Sequence, residues 1–444
     1  MKTYFIKTFG CQMNVYDSHR IAGILENRGM KEVARIDDAD LVIFNTCHIR
    51  EKAAEKLFSD LGRADLVKQA RFLEGKDTII GVVGCVVQAE DEQVFRRSGA
   101  VDFALGPLAY HRLGKVLDDL LKNRDSLIID TEFPPESKFD YLGANKAEGV
   151  CSYIAIQEGC DNFCTYCVVP YTRGVETSRP IDDVVKEARK LVADGALELN
   201  LLGQNVNSYH GEDNNGKERN LAYLLRELSE IDGLKRLRYT TSYPADVDDD
   251  LIACHRDLDI LMPYLHLPIQ SGSDNILKAM NRRHTKGQYM EVVEKLYKAN
   301  PRIGFASDFI VGFPGEDDKD FQATLDVVDE VKFITAFSFK YSPRPGTPAA
   351  EYPNQISDKV KRERLKILQE KLFAYQTDFN RQTIGKTVPV LLENKGRHAG
   401  QLTGRTPWMQ NLYVCADGGY LNKIVDVKVE SATMNSLSGK IIRK

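Results

Sequence analysis

Short apolar runs and longer stretches of helical periodicity alternate along most of this chain. In residues 1–122 the runs are Tyr4-Phe5-Ile6, Leu41–Phe44 and Ile79–Val83, separated by helix-period segments. Continuous apolar strands alternating with helices predict a parallel α/β sheet. Over residues 123–145, Pro134-Pro135 and a polar flank replace the periodicity, which reads as a linker. Residues 146–376 hold six candidate strands, Tyr153–Gln157, Glu198–Leu202, Arg236–Thr241, Leu265–Ile269, Phe305–Val311 and Phe337–Tyr341. Between the first two, Val184, Val185, Ala188, Leu191 and Val192 share one helical face that starts at Pro180 and stops at Gly195. Six successive βα units predict a partial (β/α)6 barrel with its chemistry at the C-terminal strand ends.

A basic amphipathic helix from Ser357 to about Gly385, with Leu365, Leu368 and Leu372 on its stripe, leads into a different pattern. Residues 378–444 contain the β-like runs VPVLL, QLTG, NLYVC, KIVDVKV and GKIIR, broken by Gly, Pro and Asn. Five short strands in so few residues predict a small OB-like β-barrel. The expected fold class is therefore α/β, with three domains in a chain of 444 residues, too many for one hydrophobic core.

The longest apolar run, Ile79–Val87, is interrupted by Gly81 and Gly84 and falls far short of the ~20 residues that cross a bilayer. The opening segment MKTYFIKTFGCQMN lacks an apolar core followed by a small-residue cleavage site, so the expectation is a cytoplasmic protein without a membrane partner. In a reducing compartment nine cysteines, an odd number, point to ligation rather than to disulfides.

Cys160, Cys164 and Cys167 stand in EGCDNFCTYC, a Cys-x-x-x-Cys-x-x-Cys loop directly after the first barrel strand. Three thiolates on one loop hold three corners of a cubane iron-sulfur cluster and leave the fourth iron open, whereas electron-transfer clusters take four cysteines. A zinc knuckle is the competing reading, but no fourth Cys or His follows at zinc-site spacing. Cys11, Cys47 and Cys85 each follow an apolar run of the first domain and lie 36 and 38 residues apart, about one βα unit each. Residues just past successive parallel strands meet at one sheet edge, so these sulfurs converge on a second three-cysteine site unless they are ordinary buried cysteines. Cys151, Cys254 and Cys415 have no neighbour at ligand spacing and read as structural.

The loop spacing resembles the signature of the radical S-adenosylmethionine (SAM) superfamily. With TFGCQMNVYDS, CTYCVVPYTRG, LLGQNVNSY, LHLPIQSGSD, SDFIVGFPGE and LTGRT in order, the whole chain is similar to the methylthiotransferases of that superfamily, ending in a TRAM domain. It departs from them at His48, where a small residue is expected. The resemblance implies two 4Fe-4S clusters. One, on Cys160, Cys164 and Cys167, chelates SAM and cleaves it to a 5′-deoxyadenosyl radical; the auxiliary one, on Cys11, Cys47 and Cys85, carries the sulfur. It places Tyr166 against the adenine of SAM. The implied substrate is tRNA carrying N(6)-dimethylallyladenosine beside the anticodon, converted to the 2-methylthio form with a first SAM as methyl donor and a second as radical source. Threonylcarbamoyl-adenosine in tRNA, or an aspartate of a ribosomal protein, is the alternative substrate. An auxiliary cluster used only for electron transfer, or a non-catalytic RNA-binding protein with a structural metal, are further alternatives. A flavodoxin or ferredoxin as reductant and a monomeric state complete the expectation.

A radical suits this chemistry because the hydrogen on adenine carbon 2 is beyond the reach of any side-chain base at neutral pH. Gln204, Asn205, Ser242, Gln270, Gly312 and Gly315 lie at or just past candidate strand ends and are the expected SAM-binding residues, with loop caps and turns as the alternative. The chain carries a net charge of −4, yet residues 378–444 hold ten Lys and Arg against five Asp and Glu. That local excess fits a phosphate-tracking surface, on which Arg405 and the only tryptophan, Trp408, are the candidate RNA contacts unless Trp408 is barrel core.

Overall fold

A computed structural model describes residues 1–47, 51–133, 139 and 149–442. His48 and most of the second half of the expected linker lie outside them. By their internal contacts the described residues form two compact units. The first comprises 1–146, 157–161 and 168–179; the second comprises 147–156, 162–167 and 180–444.

The first unit is built on six parallel strands, β1 (Thr3–Phe9), β2 (Lys31–Glu32), β3 (Leu41–Thr46), β4 (Ile79–Val83), β5 (Phe103–Leu105) and β6 (Ile128–Asp130), in the order β2-β1-β3-β4-β5-β6. β3 and β4 are buried at every position, the reason they read as unbroken apolar runs. One face packs Ile43, Ile79 and Phe103 against Ile21, Leu25 and Leu117 of flanking helices; the other packs Val42, Phe44 and Val82 against Leu57 and Leu61. β6 corrects the expected linker. Ile128 and Ile129 pair with Phe103 and Ala104 and extend the sheet by a half-buried edge strand, which three residues are too few to announce by periodicity.

The second unit carries six further parallel strands, β7 (Cys151–Ala155), β8 (Glu198–Leu202), β9 (Arg236–Thr240), β10 (Tyr264–His266), β11 (Gly304–Val311) and β12 (Thr335–Lys340). They form two three-stranded sheets, β9-β8-β7 and β10-β11-β12, linked by a parallel bridge between Leu237 and Leu261. This is the partial (β/α)6 barrel. Leu199, Leu201, Leu237, Leu265, Phe305 and Phe309 belong to its apolar core with the surrounding helices. The alternate residues Asn200, Thr240, His266 and Asp308 share the opposite, polar face, where the Thr240 hydroxyl donates to Asn200 at 3.2 Å. The helices begin where the sequence supplies caps: Asn220, Asp248, Ser273, Thr285, Asp317 and Ser357 each accept a backbone N–H of the first turn.

The C-terminal strands β13 (Thr387–Lys395), β14 (Gln401–Arg405), β15 (Asn411–Cys415), β16 (Ile424–Ala432) and β17 (Leu437–Ile441) close into a barrel in the order β13-β14-β15-β17-β16. Val388, Val390 and Leu392 alternate inward with Val414, Val427 and Val429, and closure leaves no open edge. By its internal contacts this barrel lies in the second unit. Arg236 donates to the carbonyls of Arg405 and Pro389, both at 2.9 Å, and Arg238 to those of Pro407 and Thr406 at 2.8 and 3.2 Å. Glu198 neutralises the pair, 3.0 Å from Arg238. Among the described residues no helix is long and apolar enough to cross a membrane.

Candidate functional site

In the first unit the strand order 2-1-3-4-5 reverses direction between β1 and β3, and ligands of such sheets bind beyond the carboxyl ends of the strands at that reversal. Cys11 and Cys47 follow these two strands, and Cys85 follows the neighbouring β4. The register pairs Phe9 with Thr46 and Asn45 with Val83, so the three chains leave the sheet at one level. Two glycines keep them close. Gly10, at φ +125°, lies where a Cβ would come 2.3 Å from Cβ of Cys47; at Gly84, at φ +101°, a Cβ would come 2.7 Å from the Asn45 side chain and the Thr46 carbonyl. A side chain at either position would push the end of β3 away.

Buried polar groups orient the thiols. The Cys11 Sγ donates to Asn14 Oδ1 at 3.2 Å, Asn14 Nδ2 donates to Asn45 Oδ1 at 2.9 Å, and Asn45 Nδ2 donates to Ser18 Oγ at 3.0 Å. The hydrogen bond with Cys47 is the largest influence on the Cys11 thiol, and with the charge of Arg173 it brings the pKa down to about 6 against the opposing effect of burial. Burial pushes the Cys85 thiol up, and the Arg173 guanidinium acts against it. Arg173 is itself buried. Its Nε donates to Cys85 Sγ at 3.3 Å, one terminal nitrogen donates to Glu158 at 2.5 Å and the other to Asp17 at 2.9 Å. Tyr110 donates its hydroxyl to the second Asp17 oxygen at 3.0 Å.

Among the described residues no three His, Cys, Asp or Glu side chains are placed to hold a single metal ion. A cubane asks for a different arrangement, three soft thiolates each on its own iron. The all-sulfur donor set at the ends of β1, β3 and β4, with an amide network and a guanidinium behind it, fits such a cluster.

The loop 160–167 is fastened differently. The Cys160 N–H donates to the Gly174 carbonyl at 3.2 Å. In the second unit, the Thr165 N–H donates to the Met280 carbonyl at 3.0 Å, its hydroxyl to the Ala279 carbonyl at 2.9 Å, and its own carbonyl accepts from Ala349 at 2.9 Å. Arg282 donates to Cys164 Sγ at 3.8 Å and to the Pro268 carbonyl at 2.6 Å. Tyr166 packs on Ile276, Met280, Phe313 and Tyr341; burial and the charge of the Cys164 thiolate hold its phenol well above the usual range.

The other expected SAM-binding residues all lie just past the C-terminal ends of β8, β9, β10 and β11. Gln204 is half-buried, while Asn205 donates to Asp246 at 2.7 Å. Ser242 is buried, and its hydroxyl has no hydrogen-bond partner among the described residues. Gln270, at φ +75°, bridges to β11: its N–H donates to the Asp308 carbonyl at 3.0 Å and its carbonyl accepts from Ile310 at 2.9 Å. The two glycines sit in local turns. A Cβ at Gly312 would meet the Lys361 stem at 2.4 Å, and the Gly312 N–H already donates to Glu316 at 2.8 Å. Gly315 takes φ +84° in a turn, with open space around it. Arg405 and Trp408, expected on an RNA surface, are both engaged inside the second unit. Arg405 lies 3.6 Å from Glu393; the Trp408 indole N–H donates to the Arg302 carbonyl at 2.8 Å and the ring meets Phe379 edge-on.

Several residues of these sites escaped the sequence reading. Arg173, Asp17 and Glu158 carry charge in buried positions and Arg282 in a half-buried one, and the available signal was a charged residue inside an otherwise apolar motif, as in VVPYTRG. His266 and Asp308, 3.5 Å apart on the polar face of the half-barrel, are the other pair; neither ring nitrogen of His266 has a hydrogen-bond partner among the described residues.

Six parallel βα units with a Cys-x-x-x-Cys-x-x-Cys loop after the first strand define a radical SAM protein, and residues 154–328 match the radical SAM superfamily. Residues 3–106 match the uncharacterized protein family UPF0004 and residues 381–442 the TRAM domain. The chain is 51% identical over 445 residues to the tRNA-2-methylthio-N(6)-dimethylallyladenosine synthase of Bartonella quintana (strain Toulouse), covering 99% of this chain and 96% of that protein. It is 52% identical to the synthase of the same name from Agrobacterium fabrum (strain C58), covering 98% of this chain and 97% of the relative. The chain belongs to this family of synthases. Among solved structures it resembles the radical SAM methyltransferase TsrM from Kitasatospora setae with cobalamin and a [4Fe-4S] cluster bound, at a TM-score of 0.59 and 13% identity over 91% of this chain and 81% of that one, a likeness of fold alone.

Proposed function

We propose that this protein converts N(6)-dimethylallyladenosine in tRNA to its 2-methylthio derivative, as a radical SAM methylthiotransferase. The observation that carries the reading is the meeting of Cys11, Cys47 and Cys85 at one sheet edge, in a chain that also carries the loop of Cys160, Cys164 and Cys167. The likeness to synthases of this name supports the substrate.

The two clusters and SAM, when bound, supply the radical, the sulfur and the methyl group that no side chain offers. The chain's own share is to hold and to exclude. Cys160, Cys164 and Cys167 hold one cubane by three corners, with Arg282 behind Cys164; Cys11, Cys47 and Cys85 hold the other, with Arg173 behind Cys85. Tyr166, Gln204, Ser242 and Gln270 bind SAM at the mouth of the half-barrel. Gly312 and Gly315 shape the turn beside it. The tRNA backbone follows exposed cations of the small barrel, Lys386, Lys395, Arg397, Lys423, Lys428 and Lys440, while Arg405 and Trp408 seat that barrel on the core. Domains over 1–122, 146–376 and 378–444, a cytoplasmic monomer and a flavodoxin or ferredoxin donor belong to the same proposal.

The test is anaerobic reconstitution followed by reaction with SAM, a strong reductant and tRNA from cells lacking the methylthio group. Mass spectrometry of the nucleosides is expected to find 2-methylthio-N(6)-dimethylallyladenosine. A chain that holds a single cluster, or that modifies only threonylcarbamoyl-adenosine or a protein, overturns the reading.

A further inference from the structure

Arg173 is a cation in a place where a cation is expensive. It is 4% exposed, and such a charge persists only when its hydrogen bonds and counter-charges are complete. Its two terminal nitrogens are taken by Glu158 and Asp17, both buried, and Tyr110 donates to the other oxygen of Asp17. The clamp orients a planar group, and the nitrogen that remains, Nε, faces Cys85 Sγ at 3.3 Å. Salt bridging alone would need only the two terminal nitrogens. The third bond goes to sulfur.

We propose that Arg173 is a positioning residue for the auxiliary cluster: its Nε–H, held on the Cys85 sulfur by the Asp17–Glu158 clamp, raises that cluster's reduction potential. This rests on the reading above that Cys85 is a cluster ligand. Hydrogen bonds to ligand sulfur and nearby positive charge stabilise the reduced cluster, because reduction adds negative charge that spreads onto the thiolates. The two carboxylates act in the opposite sense, and the guanidinium stands between them and the sulfur in its hydrogen bonds. A lysine here keeps a charge but cannot serve three acceptors in one plane. The site thus carries opposed settings, a cation that raises the potential and two anions that lower it.

The experiment uses the full-length chain with Cys160, Cys164 and Cys167 all changed to Ala, so that the auxiliary cluster alone reports. Iron and sulfide are counted, and the midpoint potential is read by EPR-monitored redox titration in the parent and in R173K, R173M and D17N. In R173K the midpoint is expected to fall so that the reduced-to-oxidised ratio at fixed potential drops about tenfold, ~59 mV for one electron. In R173M it falls further. In D17N it rises, a reversal of sign that loosened packing does not produce. Unchanged midpoints in R173K and D17N, or shifts of one sign in both, overturn the proposal. Should R173M hold no cluster, R173K and D17N still decide it. A parent chain that binds no iron is a separate failure, that of Cys11, Cys47 and Cys85 as ligands.

Discussion

The two cysteine triads are assembled by opposite routes. Cys160, Cys164 and Cys167 stand on one eight-residue loop, fastened by backbone carbonyls; Cys11, Cys47 and Cys85 are spread over three strands and meet only because β1, β3 and β4 are neighbours in register. A local site depends on its own few residues. A site assembled by topology inherits every constraint of the sheet beneath it, down to the missing side chains of Gly10 and Gly84. Both show a similar device, a guanidinium donating to one cysteine sulfur, Arg282 to Cys164 and Arg173 to Cys85.

The largest effect follows from removing one triad at a time. Replacing Cys160, Cys164 and Cys167 by Ala is expected to abolish product while the chain keeps the iron and sulfide of one cubane, and so is replacing Cys11, Cys47 and Cys85. Loss of all iron from either variant would show that the sites do not assemble independently.

Next in size is a change that touches neither triad. Arg238→Met removes the nearer of the two cations facing Glu198 at the seat of the small barrel and leaves Arg236 at 3.7 Å, so the cost is expected at the low end of the ~3–5 kcal/mol of a broken buried pair, about 3 kcal/mol. Denaturant unfolding is expected to show that loss, with both clusters still loading at low temperature. Gly10→Ala is the converse, a modest change aimed at one triad. A left-handed residue forced against Cys47 costs on the order of 1–3 kcal/mol, and the auxiliary cluster's iron is expected to fall while the loop's iron stays. Equal loss from both would mean that the glycine serves the general fold.

The same contrast explains what the sequence disclosed. The loop triad stands out by spacing alone, because all its cysteines sit in EGCDNFCTYC. The strand-end triad was legible once the apolar runs were read as parallel strands, since position after a strand is then position at an edge. What stayed hidden was whatever depends on side-chain direction across long separations. Arg173 reaches Asp17 over 156 residues, and Trp408 reaches Arg302 over 106. Nothing local distinguishes a tryptophan that seats a barrel from one that awaits a base. β6 was missed for the opposite reason, being too short to show a period, and the hold of Arg236 and Arg238 on the small barrel stayed hidden because these arginines lie some 150 to 170 residues away in the chain.

The smallest predicted effects put a matched pair of changes on the two designs. Asn14→Ala takes the acceptor from Cys11 and one bond from Asn45, and second-layer losses of this kind typically weaken metal binding ~10–100-fold. Iron retention by the auxiliary site during chelator challenge is expected to drop accordingly. Thr165→Val takes one hydroxyl bond from the loop, but the Thr165 N–H and carbonyl keep their bonds to Met280 and Ala349. The cost is then about 1 kcal/mol in unfolding, with the loop's iron retained under the same challenge. A loop held by its main chain tolerates side-chain loss; a site held by side chains does not. If Thr165→Val sheds iron as readily as Asn14→Ala, the two triads are anchored alike, and the distinction between a local and an assembled site fails at the level of the ligands.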